Sequence, residues 1–457
     1  MKRNVLIAAG EKSYLKSLLL FSLPLIAINV LQYFFGATNI TVLGVFIKDE
    51  VRANASIAAV GATTTLIAFA LSFAVALSVG VNALVACCVG ENDKEKSKKL
   101  VGTSVWLGIV YGVVIGLLGI VLSERLLVWT NCSGDVLNKA TIYLRIYFLG
   151  FPFITVYNVL AAILRSVGDT VRPSVYLCLA IVLNVVISIL CATVFDLDVE
   201  GAAISSVLSQ VFSCVLAFIR VIRTDGFSKL ELKTVRFFKK EIFEIIKVSV
   251  PVIIHMSIAS LANLIVQSAV NALGDRYITG YTIAIQIDNV IYQAMAAVAV
   301  ASLSFVAVNY GAKDSKGIRN VTRAAIIIVA AIGVLALLFI LFFARGACGI
   351  LTSEDEIINI AMKRLSILSV PYTARGIIEV FANVMRGING ATVSMVIGVI
   401  NCLLQILMIY TLCRVIGTYE FIIETNIIVW VISLVAYVVF YIKYVKKIKQ
   451  KNGQVTQ

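Results

Sequence analysis

The chain has 457 residues, of which 60% are hydrophobic and 14% charged, and its mean hydropathy is +0.98. Soluble domains contain about 45–50% apolar and about 25% charged residues, so a soluble fold of this composition would expose a large apolar surface to water. The net charge of +14 does not indicate nucleic-acid binding, because the bases lie in loops between apolar segments, where Lys and Arg orient membrane proteins. We therefore predict an all-α polytopic membrane protein.

Twelve apolar segments of at least about 20 residues, the length that a spanning helix needs, follow one another along the chain. Their predicted limits are 17–47, 56–86, 100–123, 141–164, 174–195, 199–222, 246–272, 277–307, 320–343, 363–385, 393–416 and 423–445. The first segment is too long for the apolar core of a signal peptide and has no clear cleavage site, so we expect it to be retained as a helix.

The distribution of basic residues predicts the orientation. With the N-terminus in the cytoplasm, the inside segments carry 28 Lys and Arg and the outside segments carry 10, among them Lys363 and Arg364. One base, Arg375, lies within a span. The bias predicts that both termini are cytoplasmic.

Five landmarks recur in the same order in the two halves of the chain. They are Ser22-Leu23-Pro24 with Ser249-Val250-Pro251, Gly90-Glu91-Asn92-Asp93 with Gly311-Ala312-Lys313-Asp314, Pro152 with Pro371, Leu164-Arg165-Ser166 with Met385-Arg386-Gly387, and Asn184 with Asn401. Each half has an even number of spans, so the halves are parallel repeats. We predict two six-helix bundles, residues 1–222 and 246–457, joined by a cytoplasmic basic linker, 223–245. Two such bundles around a central cleft are typical of a transporter that works by alternating access.

Several segments carry a more specific pattern. They are Pro24, Gly36 through Gly44, the loop Gly90-Glu91-Asn92-Asp93, the stretch Ala162–Pro173 with Leu164-Arg165-Ser166-Val167-Gly168-Asp169, Asn309-Tyr310-Gly311-Ala312 and Met385-Arg386-Gly387. Together they resemble the multidrug and toxic compound extrusion family over nearly the whole chain, and Phe195–Ala203 resembles its bacterial branch closest to Gram-positive drug pumps. The resemblance implies twelve helices in two bundles and export of organic cations in exchange for protons or sodium.

The chain departs from that family pattern at three places. Many bacterial members carry an Asp in the first helix where this chain has Asn39, which cannot take up a proton. Another branch carries an acid in the seventh helix, but this chain has none between Lys247 and Asp275. The same branch has an Asp in the tenth helix at the position of Arg375.

Only two of the 25 acids, Asp288 and Glu379, fall clearly inside predicted spans. A charge at the bilayer centre costs about 2.5–3.5 kcal/mol on insertion scales, so such residues are rare unless they are used. Tyr281 and Tyr292 lie seven residues before and four after Asp288, on one helix face. An acid between two tyrosines suits a proton or a cation; the alternative is a structural acid bonded to a neighbouring helix.

Arg375 and Glu379 are four residues apart, a spacing that permits an ion pair on one helix face. Two interpretations remain open at this stage. The pair either fixes packing near Pro371 or opens when a proton or cation binds Glu379. We predict that Asp288, Glu379 and Arg375 mediate ion coupling or cation binding.

Two polar stripes follow helical spacing on the first and seventh spans. They comprise Asn29, Gln32, Gly36 and Asn39, and Ser260, Asn263, Gln267 and Asn271. We predict that Gln32, Asn39, Asn263 and Gln267, with Tyr281 and Tyr292, line the cleft. The alternative is interhelical hydrogen bonding with close glycine packing, which is common in membranes.

The sequence contains few other residues or motifs that indicate a catalytic, metal or nucleotide site. The only histidine, His255, and most of the nine cysteines are interpreted as packing residues, and no Gly-Lys-Ser/Thr motif offers a nucleotide site. We expect no cofactor beyond the coupling ion, H⁺ or Na⁺, and no metal site.

We therefore expect a monomeric antiporter of amphipathic organic cations in the bacterial cytoplasmic (inner) membrane, with no nucleic-acid partner and no enzymatic activity. Two alternatives stay open. One is a lipid-linked oligosaccharide flippase of the same superfamily, which Arg375 as the sole intramembrane base does not favour. The other is a non-transporting membrane scaffold.

Overall fold

The computed structural model describes residues 14–47, 49–130, 132–411 and 418–454, with the side chains of 33–38, 40 and 451–454 excepted. This part of the chain is helical and has no strand. Ten helices are long and apolar enough to cross a membrane, and two pairs of shorter helices qualify as bent spans. The predicted all-α fold class with twelve spans is confirmed.

The helices of the first half match the predicted spans closely. They are α1 (Tyr14–Phe46), α2 (Glu50–Glu91), α3 (Lys94–Trp129), α4 (Gly134–Leu149), α5 (Phe151–Ser166), α6 (Val171–Thr193) and α7 (Val199–Arg223). A 3-10 turn over Leu232–Thr234 follows in the segment that leads to the second half.

The second half repeats this order with one additional short helix, α11. Its helices are α8 (Lys239–Asn271), α9 (Asp275–Gly311), α10 (Ser315–Phe342), α11 (Ala344–Leu351), α12 (Asp355–Leu368), α13 (Pro371–Gly387), α14 (Ala391–Thr411) and α15 (Tyr419–Gln454).

The chain forms two compact units. Residues 27–249 form the N-terminal unit, and residues 14–26 with 250–454 form the described part of the C-terminal unit. The division therefore runs through α1 and α8, close to Pro24 and Pro251, whereas the predicted bundles, 1–222 and 246–457, each keep these spans whole. The segment predicted as the cytoplasmic basic linker, 223–245, packs against the N-terminal unit: Ser97 Oγ donates a hydrogen bond of 2.7 Å to the Phe227 carbonyl.

The repeat is visible in how corresponding helices begin. Asn92 and Lys313 both adopt a left-handed φ of 57°. Asp93 and Asp314 follow them, and their carboxylates accept hydrogen bonds of 2.9 Å from the backbone N–H groups of the first turns of α3 and α10. Such caps pair backbone donors that a helix start otherwise leaves unsatisfied, so these two loops have the same physical design.

The bent spans are also repeated. The α4–α5 pair is bent by 46° and the α12–α13 pair by 57°. Pro152 and Pro371 lie in the first turn of α5 and α13, where the missing N–H of proline breaks no helical hydrogen bond. The prolines therefore start a second helix in each of these spans.

Glycines on α3 permit close helix packing in the N-terminal unit. A Cβ added at Gly112 would lie 2.6 Å from the Pro152 Cα, and one at Gly116 would lie 2.8 Å from the Phe148 carbonyl. Small residues at such contacts let membrane helices approach closely. By contrast, a Cβ at Gly61 on α2 would meet nothing within 4 Å.

The different surroundings of Gly112 and Gly61 predict opposite effects of a glycine-to-alanine substitution. We expect Gly112→Ala to destabilise the protein by about 1–3 kcal/mol because the added methyl overlaps α5. Gly61→Ala should be neutral or stabilise by up to about 1 kcal/mol, since alanine is the better helix former. Melting temperatures of the two purified variants in one detergent test this; equal shifts would contradict the close α3–α5 contact.

Candidate functional site

The C-terminal unit contains a set of charged side chains on three helices that pack together, α9, α12 and α13. We call this set the charged network. It comprises Asp288 on α9, Arg364 on α12, and Arg375, Glu379 and Arg386 on α13.

Asp288 and Arg364 form a buried ion pair. Arg364 Nε and Nη2 donate hydrogen bonds of 2.9 and 2.7 Å to Asp288 Oδ2, and the two side chains are only 8% and 3% exposed. The Arg364 guanidinium also stands over the Tyr281 ring, 4.6 Å from its centroid. Asp288 is therefore a paired acid in this structure, which corresponds to the structural alternative that the sequence left open.

This pairing corrects the position of Arg364. The sequence places Arg364 in an outside loop, but in the structure its side chain is buried, on α12 where this helix packs against α9. Asp288 Oδ1 and Arg364 Nη1 are buried without a hydrogen-bond partner among the described residues. One carboxylate oxygen of Asp288 and one guanidinium nitrogen of Arg364 therefore take no part in the hydrogen bonds of the pair.

Arg375 lies between two aromatic rings. Its guanidinium carbon is 4.2 Å from the Tyr292 centroid and 5.5 Å from that of Trp430. The possible Arg375–Glu379 ion pair is not formed, and no described carboxylate lies within 4.0 Å of Arg375. The arginine extends toward α9 and α15, where cation–π contact partly replaces its lost hydration.

Glu379 has a looser environment than Asp288. Its Oε1 accepts a hydrogen bond of 3.0 Å from Asn383 Nδ2 and lies 4.0 Å from Arg386 Nη1. Its side chain is 23% exposed, and Tyr292 is a further electrostatic partner. Glu379 is therefore the most accessible acid of the charged network.

His255 joins the network from α8. Its Nδ1 lies 3.4 Å from Arg386 Nη2, and its ring packs so closely against α14 that a Cβ at Gly398 would overlap it. The interpretation of His255 as a packing residue agrees with this contact.

The N-terminal unit has a polar cluster without charge. Asn39 Nδ2 donates to Ser206 Oγ at 3.0 Å and to the Tyr143 hydroxyl at 3.4 Å, and Asn184 Nδ2 donates to Ser205 Oγ at 3.1 Å. The Oδ1 atoms of both asparagines are buried without a described partner. We call these five residues the neutral cluster.

The predicted polar stripes do not behave uniformly. Asn39 is 4% exposed and belongs to the interior of the N-terminal unit, whereas Gln32 and Asn263 are exposed. Gln267 donates to Asn271 on its own helix at 2.8 Å. The assignment of residues to a cleft stays a prediction for all six that were proposed: Gln32, Asn39, Asn263, Gln267, Tyr281 and Tyr292. Gly36 lies outside the described side chains.

Comparison with known proteins shows the family. The MatE family profile matches residues 24–190 and 251–411. The chain belongs to the MatE family. This confirms the resemblance seen in the sequence, and the two matched regions fall in the two halves of the repeat.

The relatives are distant and cover the chain well. Multidrug export protein MepA of Staphylococcus saprophyticus is 22% identical over 396 residues, 86% of each chain. Probable multidrug resistance protein YoeA of Bacillus subtilis is 24% identical over 384 residues, 82% of each.

Solved structures share the fold. A MOP superfamily transporter from Pyrococcus furiosus, described as having a binding pocket of reverse polarity, matches with a TM-score of 0.89 at 20% identity, over 98% of this chain and 99% of that one. Vibrio cholerae MATE transporter VcmN in the bent form matches with a TM-score of 0.85 at 18% identity, over 96% and 98%.

Sequence reasoning found both acids and Arg375 of the charged network and missed the other two arginines, Arg364 and Arg386. Arg364 lies near the start of a predicted span and Arg386 near its end, so both were counted with the loops. Their place in a span that contains Pro371 could have drawn attention to them, because a span broken by proline can carry polar groups where protein buries them.

The buried pair predicts a measurable stability difference. We expect Arg364→Met to lower the free energy of unfolding by about 3–5 kcal/mol because it leaves Asp288 charged and unpaired. The double variant Arg364→Met/Asp288→Leu should recover most of this loss. Melting temperatures of the purified variants provide the measurement.

The matched control is Arg345→Met. Arg345 pairs with Asp355 at 3.0 Å, but the side chains are 62% and 83% exposed, so the loss should stay below about 1 kcal/mol. If Arg364→Met and Arg345→Met reduced the melting temperature equally, the buried pair would not be the structural element inferred here.

Proposed function

We propose that this chain is a secondary active exporter of amphipathic organic cations, driven by exchange for protons or sodium through alternating access. Family membership and the relatives named as multidrug export proteins support export. The observation that carries the coupling proposal is Glu379, a partly exposed carboxylate inside a bent span. A charge in such a place is costly to keep unless it is used.

Glu379 is proposed as the coupling group in preference to Asp288. The Asp288 carboxylate accepts two short hydrogen bonds from Arg364, so a cation or proton must compete with a well-placed guanidinium. Glu379 faces Arg386 at 4.0 Å, beyond hydrogen-bond distance. Binding of a cation or proton at Glu379 therefore displaces a weaker arginine contact than binding at Asp288 would. Asp288 is proposed to hold α9 and α12 in place.

The coupling mechanism follows from charge. With Glu379 ionised, its carboxylate attracts an organic cation and Arg386 alike. A proton on Glu379 removes that charge and releases both partners. Sodium bound there would have the same electrostatic effect, and a bound organic cation and the coupling ion would then compete for one carboxylate, which is the requirement of antiport.

The aromatic residues near Glu379 are proposed to receive the apolar part of the substrate. Tyr292 and Trp430 present ring faces on which Arg375 stacks. A flat organic cation makes the same type of contact. Substrate and Arg375 would then exchange places on these rings.

A second candidate is export of an anionic amphiphile, of which a lipid-linked oligosaccharide is one class. Arg375 is accompanied by two further bases in the same bent span, Arg364 and Arg386, which are 7% and 4% exposed. The charged network has three arginines and two carboxylates, a surplus of positive charge. This observation favours an anion, and transport assays must include one.

We further propose a location in a bacterial cytoplasmic membrane with both termini inside, as the predicted 28-to-10 distribution of bases favours. We expect the transporting unit to be the monomer and no nucleic acid to take part. A scaffold without transport activity predicts no solute flux in any of the following assays.

The first experiment uses purified protein in liposomes with a fluorescent organic cation and, separately, a fluorescent organic anion. A proton gradient and a sodium gradient are imposed one at a time. We expect cation movement under one gradient only, which names the coupling ion. Movement of the anion alone would replace the first proposal by the second, and no movement of either would reject both.

The second experiment tests Glu379. We expect Glu379→Gln to reduce gradient-driven movement to that of protein-free liposomes while the protein remains folded, because glutamine cannot change its charge. Glu424→Gln is the control, since Glu424 is an exposed acid on α15 in the same unit. Full activity of Glu379→Gln would assign coupling to another group.

A further inference from the structure

The segment between α7 and α8, with the start of α8, has an exposed basic surface that the transport proposal does not use. Its members are Lys233, Arg236, Lys239, Lys240 and Lys247, all exposed. We call them the basic rim. None of them lies within 4.0 Å of a described carboxylate, so none forms an ion pair within the described part of the chain.

Two acids of the same segment pair with lysines of α3. Glu231 lies 3.0 Å from Lys98 and Glu244 lies 3.6 Å from Lys96, both lysines being at the start of α3. The hydrogen bond from Lys98 lowers the pKa of the Glu231 carboxyl below its ordinary value. Of the other two acids, Glu241 is half-buried, and Asp225 is exposed and pairs with Lys229 at 3.2 Å. Two acids of the segment are thus paired with lysines of α3, whereas the bases of the basic rim are exposed.

Large apolar side chains are exposed among these bases. Leu232 is 64%, Phe237 59% and Phe243 68% exposed. The order along the chain alternates apolar and basic residues at 232–233 and 236–237. Bases interleaved with aromatic and aliphatic side chains are typical of segments that lie in the membrane interface.

The segment that carries this surface packs against α3 of the N-terminal unit. Leu230 is 2% exposed, and a Cβ at Gly102 on α3 would overlap the Thr234 carbonyl, so the 3-10 turn lies directly against α3. The Phe237 ring contacts Trp106 edge-on with centroids 5.6 Å apart. The segment also joins the ends of two spans, which places it at a membrane surface.

We infer that the basic rim, with Leu232, Phe237 and Phe243, is a binding surface for anionic phospholipid. The bases would contact headgroup phosphates, and the three apolar side chains would enter the boundary of the acyl chains. Charge complementarity selects an anionic headgroup. A free phosphate ion would satisfy the bases alone and leave the apolar side chains in water, so lipid is the source that accounts for both.

Trp106 supplies a local reporter for the test. The chain has three tryptophans, and the variant Trp129→Phe/Trp430→Phe retains Trp106 alone, beside Phe237. This full-length protein is reconstituted in phosphatidylcholine bilayers that contain a rising fraction of either brominated phosphatidylglycerol or brominated phosphatidylcholine. Bromine quenches nearby tryptophan, so the two curves compare local lipid association.

We expect phosphatidylglycerol to be preferred at Trp106 by about fivefold or more, which corresponds to one base contributing ~1 kcal/mol at a membrane surface. The variant Lys233→Gln/Arg236→Gln/Lys239→Gln/Lys240→Gln should abolish the preference. If this variant fails to fold, Lys239→Gln/Lys240→Gln changes two exposed side chains and should reduce it. Added inorganic phosphate should not compete.

The matched control removes the same number of positive charges elsewhere. Lys443, Lys446, Lys447 and Lys449 are exposed on α15 in the other unit, and their replacement by glutamine should leave the preference at Trp106 unchanged. Equal quenching by both lipids in the starting protein would overturn the proposal. A preference that survived loss of the basic rim, or that the control lost equally, would also overturn it.

Discussion

The ion pair between Asp288 and Arg364 is a buried polar link between two helices of the C-terminal unit, α9 and α12. Charged groups in an apolar interior must be paired and hydrogen-bonded, or they change protonation state. Asp288 is on α9, a single long helix, whereas Arg364 is on α12, the first part of a span that is broken before Pro371 and bent by 57°. The pair therefore joins α9 to one arm of the bent span, and α13, the other arm, carries Glu379 and Arg375.

The two repeats share the same order of helices but differ in their buried polar residues, which are neutral in the N-terminal unit and charged in the C-terminal unit. The offset of 221 residues that relates Asp93 to Asp314 and Arg165 to Arg386 also relates Tyr143 to Arg364. Tyr143 accepts from Asn39 in the N-terminal unit, and Arg364 donates to Asp288 in the C-terminal unit. The corresponding helix thus contributes a neutral hydroxyl in one unit and a cation in the other.

The sequence predicted the spans because apolar length and loop chemistry are local properties. The caps at Asp93 and Asp314, the breaks at Pro152 and Pro371, and the hydrogen bonds from Asn184 and Asn401 to serines on the next helix all follow the predicted repeat. The partners of the acids were not predictable in this way. Spacing on one helix suggested Arg375 for Glu379, but the structure pairs Glu379 with residues on the next turn, and Arg375 with rings of other helices.

The asymmetry between the two interiors bears on how an ion gradient can act. Asparagine, serine and tyrosine in the neutral cluster do not change charge near neutral pH, so a proton gradient has no group to act on there. A sodium ion in that cluster would bring an uncompensated charge into a buried site, which is costly. At Glu379 the same ion neutralises an existing charge. The charge balance therefore favours the proposal that coupling occurs in the C-terminal unit for either ion, with the neutral cluster of the N-terminal unit taking no part in it.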